Sequence, residues 1–247
     1  MSAKWNRAEM MICVLARMIE GLRNVAVGTV SPIPAAAALL VQKLSGGFTR
    51  ASILGSRLHN PFNDGGAELH DRAGQGRIDA FFLSGGQIDG EANINLVGTG
   101  EYPRVDTRFP GSFGSAYLYF VIPRVILFRE EHSRRVFVPR VDFISAPGWS
   151  PPGIWRVGGP YALVTSLCVF AYDRDRHRFR LESLHPGTTL EEVRDNTGFA
   201  FDVSARLGAT PAPEPDRLAL IRSTVAENLS ETYPTFAATT LGYRPAA

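Results

Sequence analysis

The sequence predicts an α/β protein: a parallel-leaning sheet with helices on both faces, plus a late antiparallel hairpin. Three observations predict it. Apolar runs of strand length recur at Asn24–Val30, Ala51–Leu54, Ala80–Leu83 and Arg124–Arg129. The first two flank an alanine-rich run of helix length, and strand, helix, strand with short connections implies parallel pairing. Late in the chain, Tyr161–Tyr172 and Arg178–Leu184 flank a charged turn, which is the pattern of a hairpin.

Taken in order, residues 6–21 read as an amphipathic helix. Met10, Met11, Val14, Leu15, Met18 and Ile19 recur at helical spacing, and Gly21 is its stop. Ser31-Pro32 reads as the next helix start, with a capping hydroxyl and proline in the first turn, and Gly46-Gly47 ends that helix. Gly55 to Gly76 has no periodicity and is read as an irregular segment. It holds His59, Asp64, Glu68, His70 and Asp71, whose spacing fits no standard ligand motif, so no metal is expected. Arg124–Arg129 is apolar without alternation, as in a central strand, and Val141–Ile144 is a further strand candidate. The Pro/Gly-rich stretch 145–160 is a loop whose two tryptophans are read as packing beneath it. Thr188-Thr189 before Glu191-Glu192 is a capping-box start, and Gly198 reads as the glycine just past the helix end. Phe199–Val203 is a last short strand. Pro211, Pro213 and Pro215 lead into a helix at roughly 215–229. The expectation is one domain over 1–232, with a loose tail over 233–247.

Composition narrows the function. Apolar residues are 45% and charged residues 20% of the 247, which is ordinary for a protein with a buried core. The 26 basic and 24 acidic residues leave a net charge of +2, with no electrostatic footprint for nucleic acid. The basic stretch Arg174–Arg180 alternates with acids and reads as a hairpin tip. Cys13 and Cys168 lie far apart in apolar surroundings and read as buried free thiols. No apolar run approaches the roughly 18 residues of a membrane span. Arg17 and Glu20 interrupt the early apolar run, so a cytoplasmic protein is expected.

The stretch 79–116 is the candidate site. The apolar run Ala80–Leu83 stops at Ser84-Gly85-Gly86, and a loop rich in amides follows with Gln87, Asp89, Asn93 and Asn95. A second glycine cluster, Gly111-Ser112-Phe113-Gly114, closes it. Ligands in open α/β sheets sit beyond the carboxyl ends of strands, and glycine lets backbone approach them closely. Backbone N–H groups at such turns can face an oxyanion, and side-chain amides can donate to a thioester or ketone oxygen. The alternative for the asparagines is local bonding that holds the loop.

The strings Gly85-Gly86-Gln87-Ile88-Asp89, Asn93-Ile94-Asn95 and Thr107-Arg108-Phe109-Pro110-Gly111-Ser112 resemble the β-subunit signature of the family I CoA-transferases, of the glutaconate CoA-transferase type. So do Arg134–Phe137 with Val141–Trp149, and Asn196-Thr197-Gly198-Phe199. The resemblance implies an α/β fold, an α-subunit partner, often as α2β2, and an acyl-CoA substrate, with coenzyme A entering as the substrate thioester and no other cofactor. It implies a substrate-binding role for Gly85, Gly86, Gln87, Asn93, Asn95, Arg108, Gly111 and Gly114. The family's nucleophilic glutamate follows the strand that resembles 51–54, but this chain reads Leu54-Gly55-Ser56-Arg57 there, and the position falls on or beside Gly55. Asp64 and Glu68 are the nearest carboxylates in sequence. A β-subunit without that glutamate is similar to the branch that cleaves a cholesterol ring by hydrolysis. There the implied chemistry is retro-Claisen opening of a cyclic β-keto acyl-CoA, with the acid/base glutamate on the α-subunit. Two alternatives stay open: a true CoA-transferase subunit for a dicarboxylic acyl-CoA, and a non-catalytic partner that completes an α-subunit's cleft.

Overall fold

The computed structural model describes residues 4–64 and 66–245; the ends of the expected domain and tail, at 1–3 and 246–247, lie outside these. The chain forms two compact units, Met1–Phe82 with Ala212–Ala247, and Leu83–Pro211, so the span 1–232 holds all of the second and most of the first. The fold class is mixed α/β, and outside two small two-stranded ladders the pairing is mostly parallel.

The first unit opens with α1 (Arg7–Ile19), started by a full capping box in which Asn6 and Glu9 exchange side-chain and backbone bonds. Strands β1 (Asn24–Val27), β2 (Arg50–Ile53) and β3 (Ala80–Leu83) lie in the order β3-β1-β2, all parallel. Between β1 and β2 runs α2 (Pro32–Leu44), whose Ala35–Ala38 are wholly buried. Small side chains there let α1 pack close, with Met10, Met11, Leu15 and Leu40 filling the layer. The expected capping hydroxyl is absent: Ser31 Oγ donates instead to the Thr29 carbonyl at 3.1 Å. The segment 55–76, expected to be irregular, contains α3 (Gly66–Gly74), steadied by the Glu68–Arg72 ion pair one turn apart.

The second unit has two small two-stranded ladders, β4 (Gln87–Ile88) with β5 (Ile94–Asn95) and β6 (Gly98–Thr99) with β7 (Thr107–Arg108). After them come α4 (Ser115–Val121), which the sequence reading did not anticipate, and β8 (Arg124–Arg129). The run 161–172 is two strands, not one. β9 (Pro160–Thr165) turns at Ser166-Leu167 into β10 (Cys168–Asp173), because the Thr165 hydroxyl takes the Leu167 and Cys168 N–H groups and closes a turn. β10 and β11 (Arg178–Leu184) form the expected hairpin, with Asp173 holding its charged tip. α5 (Leu190–Asn196) is capped by Thr189 on the Glu192 N–H, and the last strand, β12 (Asp202–Ala209), starts later than expected and pairs parallel with β11. These five strands lie in the order β12-β11-β10-β9-β8. Phe137, Phe170, Phe179 and Phe199 pack edge to face or tilted in the core. Val141–Ile144 is not a strand; its carboxylate and backbone serve the loop described below. Trp149 packs as expected, stacked on His177 at 4.5 Å, but Trp155 is 78% exposed and lies under nothing.

The chain then returns to the first unit. α6 (Pro215–Leu220), a single π turn at Ile221–Val225 and α7 (Ala226–Ser230) make one continuous helical stretch. The tail is not loose: α8 (Pro234–Thr239) follows, Ala237 and Leu241 are buried, and the Asn6 side chain donates to the Thr240 carbonyl.

Candidate functional site

The loop after β3 is built by its own amides. Asn95 Nδ2 donates to Gln87 Oε1 and to the Gly98 carbonyl, each at 2.7 Å, while its Oδ1 accepts from the Val97 and Gly98 N–H groups. Gln87 Nε2 donates to Asp142, and its oxygen also accepts the Asp142 N–H. Asn93 donates to Asp89 through its side chain and backbone, and accepts from the Gly148 N–H at 3.0 Å. All three amides are buried. Of the two roles open to them in the sequence, the structure has them holding the loop. The Gly86 N–H is likewise spent on the Asn95 carbonyl at 2.9 Å. Gly86 is required by packing: a Cβ there would sit 2.3 Å from the Phe109 ring.

Asp89 is the buried charge of this loop. Burial raises its carboxyl, and donors from Asn93, Val141 and Glu91 pull it back. The motif segments from further along the chain frame the loop. Val136 and Val138 bond across to Ile88, and Ser145 and Ala146 to Ile94. The expected helix-end glycine, Gly198, has another job: its N–H bonds the Phe137 carbonyl at 2.7 Å, and a Cβ would meet that oxygen at 2.3 Å. The recurring strings are thus one interlocked scaffold.

What the scaffold presents is the second glycine cluster. Arg108 is exposed on β7 and has no ion pair or hydrogen bond among the described residues. Gly111 has φ +109° and open space around it, and Gly114, at φ +71°, leads into α4. Phe113 is 72% exposed at φ +37°. The Gly111 N–H is held by the Leu96 carbonyl, whereas the Gly114 N–H has no partner among the described residues. Next to it Ser115 Oγ is buried and likewise without a partner. A buried hydroxyl with no partner is costly and calls for an explanation such as a ligand or water. Sequence reasoning missed Ser115 because α4 was not foreseen, so nothing in the sequence marked this serine as buried.

In the first unit the turn after β2 is Leu54-Gly55-Ser56-Arg57, with Gly55 exposed at φ +87°. No side chain of this turn carries a carboxylate. Glu68, one of the two carboxylates nearest in sequence, is engaged by Arg72 and the Asn63 N–H; Asp64 is exposed. The carboxylate that does reach the turn is Glu231, 175 residues from Ser56. It accepts Ser56 Oγ at 2.9 Å and the Arg57 N–H at 2.6 Å. Burial pushes this carboxyl up, but the donors from Thr232, Arg57 and Ser56 outweigh it and hold it down at about 2. No local pattern could have found Glu231.

Elsewhere in the second unit, two buried histidines sit in a hydroxyl network. His132 bridges Thr165 and Thr197 at 2.8 and 2.9 Å, and His185 bridges Thr210 and the Thr165 carbonyl at 2.9 Å each. Burial pushes both down to about 4 and the buried Cys168 thiol up to about 12. These groups are set in the core as neutral structure. No cluster of three or more metal-ligating side chains occurs among the described residues, and no helix there is long and apolar enough to cross a membrane.

Parallel strands ending in a glycine-rich, amide-braced loop define an α/β protein of the ligand-handling kind. The coenzyme A transferase family profile matches residues 17–196, and the chain belongs to that family. It is 34% identical over 60% of its length to the β-subunit of 3-oxoadipate CoA-transferase from Pseudomonas knackmussii, covering 59% of that protein. It is 33% identical to the β-subunit of glutaconate CoA-transferase from Acidaminococcus fermentans over 58% of its length and 56% of the relative's. It is 32% identical to the cholesterol ring-cleaving hydrolase IpdB subunit of Rhodococcus jostii over 57% and 56%. The matches thus span under two thirds of these relatives. Among solved structures, a single-substitution variant of the decarboxylase AibA/AibB is 26% identical, with TM-score 0.76 over 89% of this chain and 95% of that one. The glutaconate CoA-transferase structure, at 23% identity and TM-score 0.79 over 98% and 99%, shares the fold.

Proposed function

We propose that this chain is the β-type subunit of a two-subunit enzyme that opens a cyclic β-keto acyl-CoA by hydrolysis of a carbon–carbon bond, in the breakdown of steroid rings. The observation that carries the reading is the turn after β2. A transferase of this family needs a carboxylate there to take the acyl group, and Leu54-Gly55-Ser56 has none. Glu231 makes a poor substitute nucleophile, since its oxygens are taken by Ser56, Arg57 and Thr232 and its basicity is low.

In the proposed reaction a base on the α-subunit removes a proton from water, which adds to the ring ketone. The bond from that carbon to the α-carbon breaks, its electron pair moves into the thioester as an enolate, and protonation of the α-carbon completes an open acid that keeps its CoA. Two oxyanions need donors, each worth about 3–4 kcal/mol in the transition state. On this chain the Gly114 N–H and Ser115 Oγ, both without a partner among the described residues, are the donors assigned to this role. Exposed Arg108 suits a CoA phosphate. Gly85, Gly86, Gln87, Asn93 and Asn95 support that edge from within.

The test is co-expression with the α-subunit and mass analysis of products from a cyclic β-keto thioester in ¹⁸O-labelled water. One labelled oxygen in the new carboxylate, with CoA retained, is the expected result. Transfer of CoA to an added carboxylic acid, with a hydroxamate on this chain after hydroxylamine, overturns it in favour of a transferase, the reading favoured by the 34% identity to a transferase subunit.

A further inference from the structure

Two loops of the first unit leave the carboxyl ends of parallel strands, Gly28–Ser31 after β1 and Leu54–His59 after β2. Both are held from outside by one short stretch of chain. Glu231 takes Ser56 Oγ and the Arg57 N–H, as described. Two residues on, the Tyr233 hydroxyl accepts the Ser31 N–H at 3.2 Å and is also reached by the Val30 N–H. One turn earlier, Asn228 Oδ1 meets His59 Nε2 at 3.1 Å. Asn228 follows the π turn at Ile221–Val225, a type of irregularity found often at functional sites. The loops themselves carry strain. Val30 has φ +55° with its side chain 87% exposed, and Gly55 has φ +87°. A β-branched residue at positive φ persists only where its surroundings over-determine it. Here Tyr233 supplies the acceptor that fixes the neighbouring peptides, in the place where Ser31 makes no cap of its own.

We propose that Glu231 and Tyr233 are positioning residues: a clasp from the C-terminal segment that sets the loops after β1 and β2 in the conformation that receives the acyl-CoA. The proposal rests on the reading that the turn at Gly55 borders the acyl group. The chemistry of the clasp fits a positioning role rather than a reacting one. The carboxylate is anionic and saturated with donors, and the phenol oxygen is turned to backbone N–H groups. A displacement of about 1 Å in such loops can cost up to about 100-fold in rate.

The experiment uses the assembled two-subunit complex. Glu231→Ala, Glu231→Gln and Tyr233→Phe are compared with Glu227→Gln, an exposed control on α7. Thermal melting, kcat, KM and amide hydrogen exchange at Ser31 and Arg57 are read for each. Expected are a rise of about tenfold or more in exchange at Arg57 for Glu231→Ala and at Ser31 for Tyr233→Phe, with kcat lowered about tenfold or more. Glu231→Gln, which keeps an acceptor oxygen, recovers part of both. Loss of melting temperature with kcat and KM unchanged in the folded complex overturns the proposal, since it reduces the clasp to structure. Unchanged exchange at both amides also overturns it. If the wild-type complex does not turn over the cyclic substrate, the proposed reaction fails but the clasp is still judged, by the affinity of the complex for acetoacetyl-CoA. Weakening of about tenfold in Glu231→Ala supports it, and equal affinity overturns it.

Discussion

Asn95 Nδ2 lies 2.7 Å from Gln87 Oε1 and donates to it, which ties together two of the three buried amides of the loop after β3. Asn95→Ala removes that bond, the one to the Gly98 carbonyl and the acceptor for Val97. Stability should fall by about 2–4 kcal/mol, because buried partners are left unmade. Denaturant titration of the complex checks this. A normal midpoint with lost turnover would instead make Asn95 a direct substrate contact.

Gly86→Val should also destabilise, for a different reason. The Phe109 ring occupies the space a side chain would need, so the ring or the loop must move. Overpacking of this kind costs about 1–3 kcal/mol. Gly111→Ala has open space and meets only the backbone penalty of its positive φ. Melting temperatures of the two variants should therefore differ, with Gly86→Val the lower; the reverse order contradicts the packing argument.

Ser115→Ala should separate fold from function. Its hydroxyl is buried without a partner, so removing it should leave melting temperature unchanged or raise it. If the hydroxyl serves a substrate oxygen, kcat/KM should drop about 100-fold or more. Equal activity in the variant removes Ser115 from the site. Arg108→Ala, at an exposed guanidinium, should leave stability within about 0.5 kcal/mol and raise KM in a salt-dependent way.

The two core histidines predict acid lability. In the unfolded chain each titrates near 6.5, but in the folded protein burial holds both at about 4. Between those values the unfolded state binds more protons. Stability is therefore fully present above about pH 6.5 and is lost as pH falls toward 4, by roughly 3 kcal/mol per histidine. Melting curves from pH 7.5 to 4.5 for the wild type and for His132→Gln with His185→Gln should converge at low pH. Parallel curves would show that the histidines do not set the acid limit.

Much of the fold was legible because its signals are local. The proline at the start of α2, the Thr189 cap, the unbroken apolar runs of β3 and β8 and the charged tip after β10 each announce themselves within a few residues. What was missed depends on distance. The break between β9 and β10 comes from one threonine hydroxyl closing a turn inside an apolar run. α3 is short and mostly polar, and its buried face is no more than Leu69 and Ala73. At the candidate site the glycine and amide positions were legible, but their roles were not. Whether Asn93 faces a ligand or Gly148 depends on a backbone 55 residues away. Glu231 was invisible for the same reason, with its partner 175 residues off.

The first unit is discontinuous: its closing piece begins at Ala212, after the whole of the second unit has been made. On the ribosome, domains form as their chain emerges. The loops after β1 and β2 therefore wait, without Glu231 and Tyr233, through the synthesis of the 129 residues from Leu83 to Pro211. The order of manufacture makes a segment synthesised after the second unit the one that completes loops synthesised before it, so a chain truncated ahead of Ala212 keeps both loops and lacks the means to hold them.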